Sequence, residues 1–298
     1  MRAIQVARFG IEHLQVQDLP DPSPAPGEVL IATDAATINP ADLGIVTGSA
    51  ASRFPPGAVA PYTPGWDLAG RVLACGDGVD TALAGSRVAG FTIWFVTGRG
   101  TQASLVTLPA GNVVVAPDGL PAAQLTTIGL NGLTAWRGLT DLNPAGSDTV
   151  VITGATGGVG GFAVELAAAR GLTVIAVVRE RDRDEALALG ASAAVRKVAP
   201  GGADAVLDTA SLGATALSPV RDGGRYVTVT QVPSPERDIS VARAFGRMDH
   251  EGLTTLVAMA SSGRLHTPVA AEFGVAEARR VYDYASTWRG RGRVVLTF

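Results

Sequence analysis

Short runs of apolar and β-branched residues alternate with helical segments through the middle of the chain. Residues 149–153 and 172–178 form two such runs, and an Ala-rich segment over 162–170 lies between them. Apolar runs of this length are typical of parallel strands that are buried on both faces. The Ala-rich segment carries an Arg in its last turn and stops at Gly171, as helices commonly do. The pattern predicts a strand–helix–strand unit.

The same alternation continues toward the C-terminus. Residues 203–208 and 224–229 are two more apolar runs, and we expect a helix over 214–220 between them. Between residues 191 and 203 there is room for a short strand but hardly for a crossover helix, since parallel connections usually need about a dozen residues or more. We expect that helix to be absent or reduced to a loop. Strands that alternate with helices predict a doubly wound parallel sheet.

The chain before this region has a different pattern. Residues 1 to about 114 contain short apolar runs, some alternating with a period of two, that Gly and Pro residues interrupt. This pattern predicts a small β-barrel or sandwich. The expected strands lie at 3–6, 12–16, 29–36, 69–74, 87–96 and 101–108. The remaining predicted elements are helices over 118–130, 133–142, 253–263 and 276–286 and a final strand over 293–297.

The composition excludes several classes of protein. With 298 residues, of which 47% are hydrophobic and 17% charged, the chain is expected to fold into two globular domains. The net charge of -3 gives no attraction to nucleic acid or to an anionic membrane. No apolar run reaches the roughly 18 residues of a membrane span, and no signal peptide follows Met1. We expect a soluble, cytoplasmic protein whose single cysteine, Cys75, excludes a disulfide framework.

A glycine-rich turn directly follows the first strand of the strand–helix–strand unit. Glycines let the backbone approach a diphosphate closely, and the N–H groups of the following helix face the anion. Strand, glycines, helix and second strand occur in the required order within about 30 residues, which is the context that supports a dinucleotide site. The alternative is a tight strand–helix connection that binds nothing. The predicted contacts to the cofactor are Ala155, Thr156, Gly157, Gly158, Val159 and Gly160.

The residues after the second strand indicate which dinucleotide binds. An acidic side chain there would hold a ribose 2′-hydroxyl group, whereas an arginine accommodates a 2′-phosphate. Arg179 takes the first position after the strand, and Arg181 and Arg183 are close by. We therefore predict NADPH as the cofactor, with Arg179 in contact with its phosphate. Glu180 keeps the 2′-hydroxyl reading open, and alternating charges are also typical of a solvated helix start.

Further short motifs are spread along the chain. They include Asn-Pro-Ala-Asp at 39–42, Pro-Gly-Trp-Asp-Leu-Ala-Gly at 64–70, Gly-Ser-Arg-Val at 85–88, Gly-Leu-Thr-Ala-Trp at 132–136, Leu-Gly-Ala at 189–191 and Arg-Gly-Arg-Val-Val-Leu at 291–296. With the glycine-rich turn, they resemble the medium-chain dehydrogenase/reductase superfamily, in particular its zinc-independent quinone oxidoreductase and enoyl reductase branch. The motifs occur in the family's order over nearly the whole chain.

The resemblance implies a two-domain architecture. A doubly wound Rossmann sheet would be inserted into a GroES-like β-barrel domain that the C-terminal segment closes. The predicted domains are GroES-like over 1–114 and 264–298 and Rossmann over 115–263. The active site would lie in the cleft between them, and relatives usually form dimers through the edge of the Rossmann sheet, so we expect a homodimer.

The resemblance also implies roles for single residues. Asn39 and Asp42 would line the cleft beside the nicotinamide, as catalytic residues, and Asn39 and Thr134 would contact the cofactor. Arg196-Lys197 would keep the 2′-phosphate site basic, so Lys197 is a predicted cofactor contact. Gly292-Arg293 stands where relatives have a closing Gly-Lys, a change that preserves the charge, and Arg293 is also a predicted cofactor contact. For Asn39 and Asp42, ordinary turn formation is the alternative.

The segment after Asp42 departs from the family. Quinone reductases of this family place tyrosines and an arginine there, whereas this chain has Gly44, Val46 and Ala50. The usual candidates for holding a quinone or donating a proton are therefore missing. Tyr62 could replace them as a catalytic residue, with ordinary packing as the alternative.

The residues do not favour a metal site. Catalytic zinc takes three protein ligands from Cys, His and carboxylate side chains. By the resemblance, the segment Asn39-Pro40-Ala41-Asp42 stands where zinc-dependent relatives have a cysteine ligand, and Trp66-Asp67 stands where they have His-Glu. The three histidines lie in separate segments, at His13, His250 and His266. We predict that no metal is bound.

These observations lead to one function and two alternatives. The leading hypothesis is an NADPH-dependent, zinc-independent oxidoreductase that transfers a hydride to a small-molecule quinone or to an activated C=C bond, as in an enone. One alternative is an enoyl-thioester reductase. The other is a non-redox biosynthetic catalyst or a cofactor-binding module on the same fold. The sequence does not identify the substrate.

Overall fold

The computed structural model describes residues 1–198, 200–235 and 237–298. Its strands are β1 (Arg2–Gln5), β2 (Gln15–Asp18), β3 (Glu28–Ile38), β4 (Asp67–Cys75), β5 (Arg87–Phe91), β6 (Leu105–Pro109), β7 (Val113–Val115), β8 (Thr149–Thr153), β9 (Thr173–Val177), β10 (Ala193–Val195), β11 (Ala203–Asp208), β12 (Val220–Thr228), β13 (Ser240–Arg243), β14 (Val269–Gly274) and β15 (Arg293–Thr297). Its α-helices are α1 (Pro40–Thr47), α2 (Trp94–Thr97), α3 (Ala122–Leu125), α4 (Gly129–Leu142), α5 (Gly158–Ala169), α6 (Arg183–Ala188), α7 (His250–Ser261) and α8 (Ala278–Thr287).

The chain divides into two compact units. Unit 1 consists of Met1–Leu130 and Met248–Phe298, and unit 2 consists of Asn131–Arg247. The sequence places these divisions elsewhere, after residue 114 and after residue 263. The difference arises because α3 packs against β3 and β4, and α7 packs against β7, so that both helices belong to unit 1.

Unit 1 is built around β3, whose eleven residues pair with three other strands. The strand pairs with β6 over Glu28–Ala32, with β4 over Val29–Ala35, and with β15 over Ala35–Ile38. The resulting sheet has the order β14-β15-β3-β4-β5-β7, with β6 joined to β3, and β1 and β2 form a separate pair. All pairs are antiparallel except β14 with β15. Closure of this sheet into a barrel stays a prediction.

The amphipathic helix predicted near the C-terminus is confirmed as α8. Its buried residues Ala278, Val281 and Tyr282 belong to one apolar cluster with Ile4 and Leu296. The apolar face of the helix therefore covers residues from both ends of the chain.

Unit 2 contains a six-stranded sheet with the order β10-β9-β8-β11-β12-β13. Every pair in it is parallel. The central strand β8 contributes Val150, Val151 and Ile152, all fully buried, as expected for a strand covered on both faces. The predicted doubly wound parallel sheet is confirmed.

In the described residues, the connections from β10 to β11 and from β11 to β12 contain no α-helix. Between β10 and β11 the described residues form no helix, as expected from the length of the segment. The helix predicted over 214–220 is wrong, since a 3-10 helix over Gly213–Ala216 takes its place and Val220 already starts β12. Pro219 explains the difference, because proline lacks an N–H group and disfavours a helical conformation of the residue before it.

Four further predictions need correction. The strand predicted over 12–16 is wrong at its start, since Ile11–His13 form a 3-10 helix and β2 begins only at Gln15. The strand predicted over 87–96 ends at Phe91, because the chain turns into α2, where the buried Trp94 donates from Nε1 to the carbonyl of Thr63 at 2.8 Å. The strand predicted from residue 101 begins only at Leu105. The helix predicted over 118–130 is shorter and broken, since α3 and α4 are separate. No strand was expected at β13, because its four residues carry no distinctive pattern.

The glycine-rich turn connects β8 to α5. Gly154 has a positive φ of 59°, and Gly157 lies at the N-cap of α5 with its N–H donating to the Gly154 carbonyl at 2.8 Å. A Cβ on Gly160 would overlap that same carbonyl oxygen. The helix can therefore approach the end of β8 only because residue 160 has no side chain.

Replacement of Gly160 by alanine should destabilise unit 2. The added Cβ must displace the turn or the start of α5, and overpacking of this kind costs about 1–3 kcal/mol. The free energy of unfolding, measured by urea denaturation, checks this. Gly146→Ala is the matched control, because a Cβ there meets nothing within 4 Å. A Gly160→Ala protein as stable as the Gly146→Ala protein would contradict the described packing of the turn.

Candidate functional site

The N-terminus of α5 is the first part of the candidate site. The first N–H groups of an α-helix have no partner inside the helix, and together with the helix dipole they attract anions. Gly157 adopts an extended conformation at the N-cap and has no side chain to cap the helix. Thr156 precedes it and is 9% exposed. The six predicted residues, 155–160, thus comprise the turn after β8 and the first residues of α5.

Basic side chains lie at the same edge of the sheet. Val177 of β9 is paired with Val195 of β10, so Arg179 and Lys197, which each follow two residues later, leave the sheet at neighbouring positions. Both residues are exposed. The guanidinium of Arg179 forms an ion pair with Asp182 at 2.6 Å. The predicted pair of basic residues thus follows the carboxyl ends of two neighbouring strands.

The alternative ligand of a ribose hydroxyl, Glu180, begins a short 3-10 helix over Glu180–Asp182. Its side chain is exposed at the same edge. Arg179 and Glu180 are thus both exposed directly after β9.

In unit 1, Asn39 belongs to a buried polar network. Its Nδ2 donates to Thr37 Oγ1 at 3.0 Å and to Asp67 Oδ2 at 2.8 Å, and the Thr37 hydroxyl donates to the same carboxylate oxygen at 2.7 Å. Asn39 is 1% exposed, and Thr37 and Asp67 are fully buried. The amide of Asn39 therefore has a fixed orientation.

Asp42 holds the start of α1. Its Oδ2 accepts the N–H of Asn39, the N-cap residue, at 2.8 Å, and its Oδ1 accepts the N–H of Gly65 at 2.7 Å. The second bond ties α1 to the loop before β4. Because both of its oxygens accept backbone N–H groups, Asp42 fixes the backbone of Asn39 and of Gly65.

Asp67 connects this network to α4. Its Oδ1 accepts the N–H of Leu130 in the first turn of that helix. Gly129 makes room for the contact, since a Cβ there would overlap the same carboxylate oxygen. One buried carboxylate thus binds the end of β3, the N-cap of α1 and the start of α4.

Two residues far apart in the chain complete the network. The Tyr282 hydroxyl of α8 donates to Gln102 Oε1 at 2.7 Å, and Gln102 Nε2 donates to the carbonyl of Thr37 at 3.0 Å. Burial lowers the pKa of the Arg293 guanidinium in β15, and the charges of Asp67 and Asp42 partly oppose this lowering. Of the predicted cofactor contacts, Asn39 and Arg293 therefore belong to this interior network.

Burial controls the ionisation of the two aspartates. It raises the pKa of Asp42 to about 8, and the charge of Asp67 adds to the rise, while the N–H groups of Asn39 and Gly65 oppose it. Burial likewise raises the pKa of Asp67 to about 6, against the hydrogen bonds from Thr37, Leu130 and Asn39. Desolvation of the charged form is the common cause.

Tyr62 lies in an aromatic cluster of unit 1. Its backbone pairs with Val6 through hydrogen bonds of 2.9 and 3.0 Å. Its ring lies 5.1 Å from Phe54, 5.8 Å from Trp94 and 6.4 Å from Phe9, measured between centroids. The ring is held by edge and stacking contacts, which is ordinary packing geometry. A part for its hydroxyl in catalysis stays a prediction.

The predicted site residues thus fall into two groups. In unit 1 the structure brings together Asn39, Asp42 and Arg293, and it places Tyr62 in the aromatic cluster. In unit 2 it places Thr134, which is 6% exposed, on α4. The remaining members of the unit 2 group are Ala155, Thr156, Gly157, Gly158, Val159, Gly160, Arg179 and Lys197.

The donor set does not suit a zinc ion. Zinc takes Cys, His and carboxylate ligands in a tetrahedral arrangement. Asn39 supplies an amide rather than a zinc ligand, and its Nδ2 donates to Asp67 Oδ2 at 2.8 Å. Within residues 1–198, 200–235 and 237–298, no three or more His, Cys, Asp or Glu side chains are grouped so that they could hold a metal. No step of the chemistry below involves a metal.

Four residues of the network carry no role in the sequence analysis. Thr37, Gln102 and Tyr282 come from segments without a chemical motif, and their contacts span up to 180 positions in the chain. Only Asp67 lies in a sequence motif, the one at 64–70.

No helix in the described part of the chain is long and apolar enough to cross a bilayer.

The raised pKa values of Asp42 and Asp67 predict that the fold loses stability as the pH rises. An unfolded chain releases both protons near the ordinary pKa of 3.8, whereas the folded chain retains them up to about pH 8 and about pH 6. Between about pH 4 and about pH 8 the folded state binds more protons, so the free energy of unfolding falls. Each excess proton contributes at most about 1.4 kcal/mol per pH unit.

Urea denaturation at several pH values between about 5 and about 8 measures this fall. Asp42→Asn should remove the part of it above about pH 6. Asp77→Asn, which changes an exposed carboxyl of the same unit, is the control and should leave the slope unchanged. A stability that stays constant or rises over this interval would show that the two carboxyls are ionised throughout.

Comparison with known proteins places the chain among dehydrogenases. The family model described as "Alcohol dehydrogenase GroES-like domain" matches residues 25–118, and the one described as "Zinc-binding dehydrogenase" matches residues 176–296. The chain is 27% identical to the chloroplastic quinone-oxidoreductase QR1 of Triphysaria versicolor, over 99% of this chain and 98% of that protein. It is 36% identical to the quinone oxidoreductase of Rattus norvegicus, over 59% of this chain and 52% of that protein.

Solved structures give the same picture of the fold. A quinone oxidoreductase from Coxiella burnetii superposes with a TM-score of 0.90 at 24% identity, covering 100% of this chain and 99% of that one. An alcohol dehydrogenase superfamily protein from Novosphingobium aromaticivorans superposes with a TM-score of 0.88 at 29% identity and the same coverage. The chain matches a GroES-like domain, contains a doubly wound parallel sheet and has quinone oxidoreductases among its relatives. It therefore belongs to the medium-chain dehydrogenase/reductase superfamily, in its quinone oxidoreductase branch.

Proposed function

We propose that this oxidoreductase is zinc-independent, uses NADPH, and transfers a hydride to a quinone or to the activated C=C bond of an enone. The family supports a nicotinamide cofactor and an oxidoreductase activity. The phosphorylated form of the cofactor and the class of acceptor are inferences from the residues of this chain.

The position of the glycine-rich turn carries the proposal. In a doubly wound sheet, ligands bind outside the carboxyl ends of the strands, where the strand order reverses. Here the order reverses between β8 and β11. The turn leaves β8 at this point, and α5 begins directly after it with Gly158. A diphosphate bound there would meet the N–H groups of residues 155–160.

Arg179 and Lys197 support the choice of NADPH. A 2′-phosphate carries close to two negative charges, which exposed basic side chains on one strand edge attract. Arg179 would exchange its ion pair with Asp182 for a bond to the phosphate. Such an exchange requires little change of structure, because the Arg179 side chain is 56% exposed.

The chemistry needs few protein groups. When bound, the nicotinamide supplies a hydride, and the protein orients the acceptor, excludes water and stabilises the oxyanion that develops. Asn39 is suited to orientation, since two buried acceptors fix its amide. Asp42 would keep Asn39 and the loop at Gly65 in place. Water or the hydroxyl of Tyr62 would supply the proton.

One comparison favours a second candidate function. The chain is 36% identical to part of a mycocerosic acid synthase-like polyketide synthase of Mycobacterium tuberculosis, over 54% of this chain and 7% of that protein. This supports the enoyl-thioester alternative, in which the acceptor is bound to a carrier.

Oxidation of NADPH, followed by its absorbance, tests the proposal with three acceptors: a quinone, an enone and an enoyl thioester. We expect turnover with the quinone or the enone. Turnover with the thioester alone would select the second candidate. Tight binding of NADPH without turnover of any acceptor would favour a cofactor-binding module, and binding of neither NADPH nor NADH would contradict the proposed site.

We also propose that the protein is a cytoplasmic homodimer. In the described part of the sheet, β13 is an outermost strand, and an open edge of this kind is a ready surface for pairing with a second copy. Light scattering on the purified protein measures the mass directly.

Arg179→Ala should weaken NADPH without affecting NADH. Charge-assisted hydrogen bonds contribute about 1.5–3 kcal/mol, so the Kd for NADPH should rise about tenfold or more, and the Kd for NADH by less than about twofold. Calorimetry or quenching of tryptophan fluorescence measures both constants.

Arg221→Ala is the matched control for this substitution. Arg221 is also an exposed arginine paired with an aspartate, Asp204, but it lies at the opposite end of the sheet. Its replacement should leave both constants unchanged. Equal weakening of NADPH and NADH by Arg179→Ala would exclude the 2′-phosphate contact.

A further inference from the structure

Asp208 is a buried carboxylate at the carboxyl end of β11, beside the glycine-rich turn. The residue is fully buried and is paired in the sheet with Thr153, the last residue of β8. Its Oδ1 accepts the Thr153 hydroxyl at 2.6 Å and the N–H of Ala210 at 3.2 Å. Its Oδ2 accepts the Tyr226 hydroxyl at 2.8 Å and the N–H of Gly213 at 2.9 Å. Four donors from three segments thus converge on one side chain.

Two of these donors belong to the segment after β11, which we call the β11 loop (residues 209–213). Its N–H groups at both ends bind the carboxylate, and between them Ser211 has a φ of 61°. Residues other than glycine rarely adopt this left-handed conformation, and it persists only where the surroundings hold it. Asp208 therefore determines the shape of the β11 loop.

The β11 loop packs directly on the glycine-rich turn. The Thr209 hydroxyl donates to the carbonyl of Thr153 at 2.6 Å. A Cβ on Gly154 would lie 3.1 Å from the Cβ of Ala210, and one on Gly160 would lie 2.8 Å from Thr209 Oγ1. The loop and the turn therefore touch over several residues, and a shift of one displaces the other.

We propose that Asp208 is a positioning residue for the nicotinamide cofactor, because its carboxylate fixes the β11 loop against the glycine-rich turn and so preforms the surface that receives the diphosphate. This inference rests on the proposed function. The loop and the turn flank the point where the strand order reverses, so both border the crevice in which a dinucleotide binds.

The four hydrogen bonds make this site sensitive to Asp208→Asn, which replaces one carboxylate oxygen by an NH2 group. Each carboxylate oxygen accepts two donors, so an asparagine must place its NH2 group against two of them. Burial and the hydrogen bond to Asp208 keep the pKa of Tyr226 well above its ordinary value, so its hydroxyl remains a donor over the working pH range. A hydroxyl can turn and accept from the NH2 group, but the backbone N–H of Ala210 or Gly213 cannot, and two donors that face each other in a buried site are strongly unfavourable.

The test compares Asp208→Asn with Asp204→Asn. Asp204 lies on the same strand, at its other end, and binds Arg221 and the N–H of Thr149. The Kd values for NADPH and NADH are measured by fluorescence quenching at low temperature, where circular dichroism shows each variant to be folded. We expect Asp208→Asn to raise both constants by the same factor, about tenfold or more, and Asp204→Asn to change neither by more than about twofold.

A role confined to global stability would lower Tm but leave the Kd of the folded protein unchanged. That result, or equal effects of the two substitutions, would overturn the inference. If Asp208→Asn does not fold, Tyr226→Phe decides, since it removes one donor of four. It should raise both constants about threefold, with faster amide hydrogen exchange at 154–158 and 209–213, and unchanged constants would overturn the inference. If the unmodified protein binds neither cofactor, the proposed function itself fails.

Discussion

A carboxylate that is removed from water must receive hydrogen-bond donors from the protein, and this requirement organises both units. Asp42, Asp67 and Asp208 are fully buried, and each gathers donors from segments that leave the sheets. In unit 1 the donors come from the start of α1, the loop before β4 and the start of α4. In unit 2 they come from β8, the β11 loop and β12. The segments that border the candidate site are thus held by a few buried carboxyl groups that accept their hydrogen bonds.

The parallel sheet and the dinucleotide turn could be predicted from the sequence because both are local patterns. Each apolar run of unit 2 is long enough for one buried strand, and the order of strand, glycines and helix identifies the turn. The helix predicted over 214–220 overlooked a local signal, since Pro219 disfavours a helical conformation before it and β12 already starts at Val220. By contrast, α2 interrupts a run of apolar residues that has no helical period of its own.

The polar network of unit 1 could be predicted only in part. Asn39 and Asp42 lie in one short motif, and their proximity follows from the geometry of a helix start. Gln102 and Tyr282 belong to different elements, and nothing in either segment indicates the other. Their contact depends on α8 crossing residues near the N-terminus, which is a property of the assembled core. A pairwise hydrogen bond of this kind is visible only in three dimensions.

The threefold pairing of β3 has a consequence for the order of folding. Its last residues pair with β15, and the whole of unit 2 lies between these two strands in the chain. During synthesis on a ribosome, unit 2 emerges complete and can form its sheet before β15 has been made. At that stage residues 35–38 of β3 are not yet paired with β15. An unpaired strand edge is prone to pair with other chains. The nascent protein therefore exposes this edge until its final strand has been made, and the interval is set by the translation time of the intervening unit.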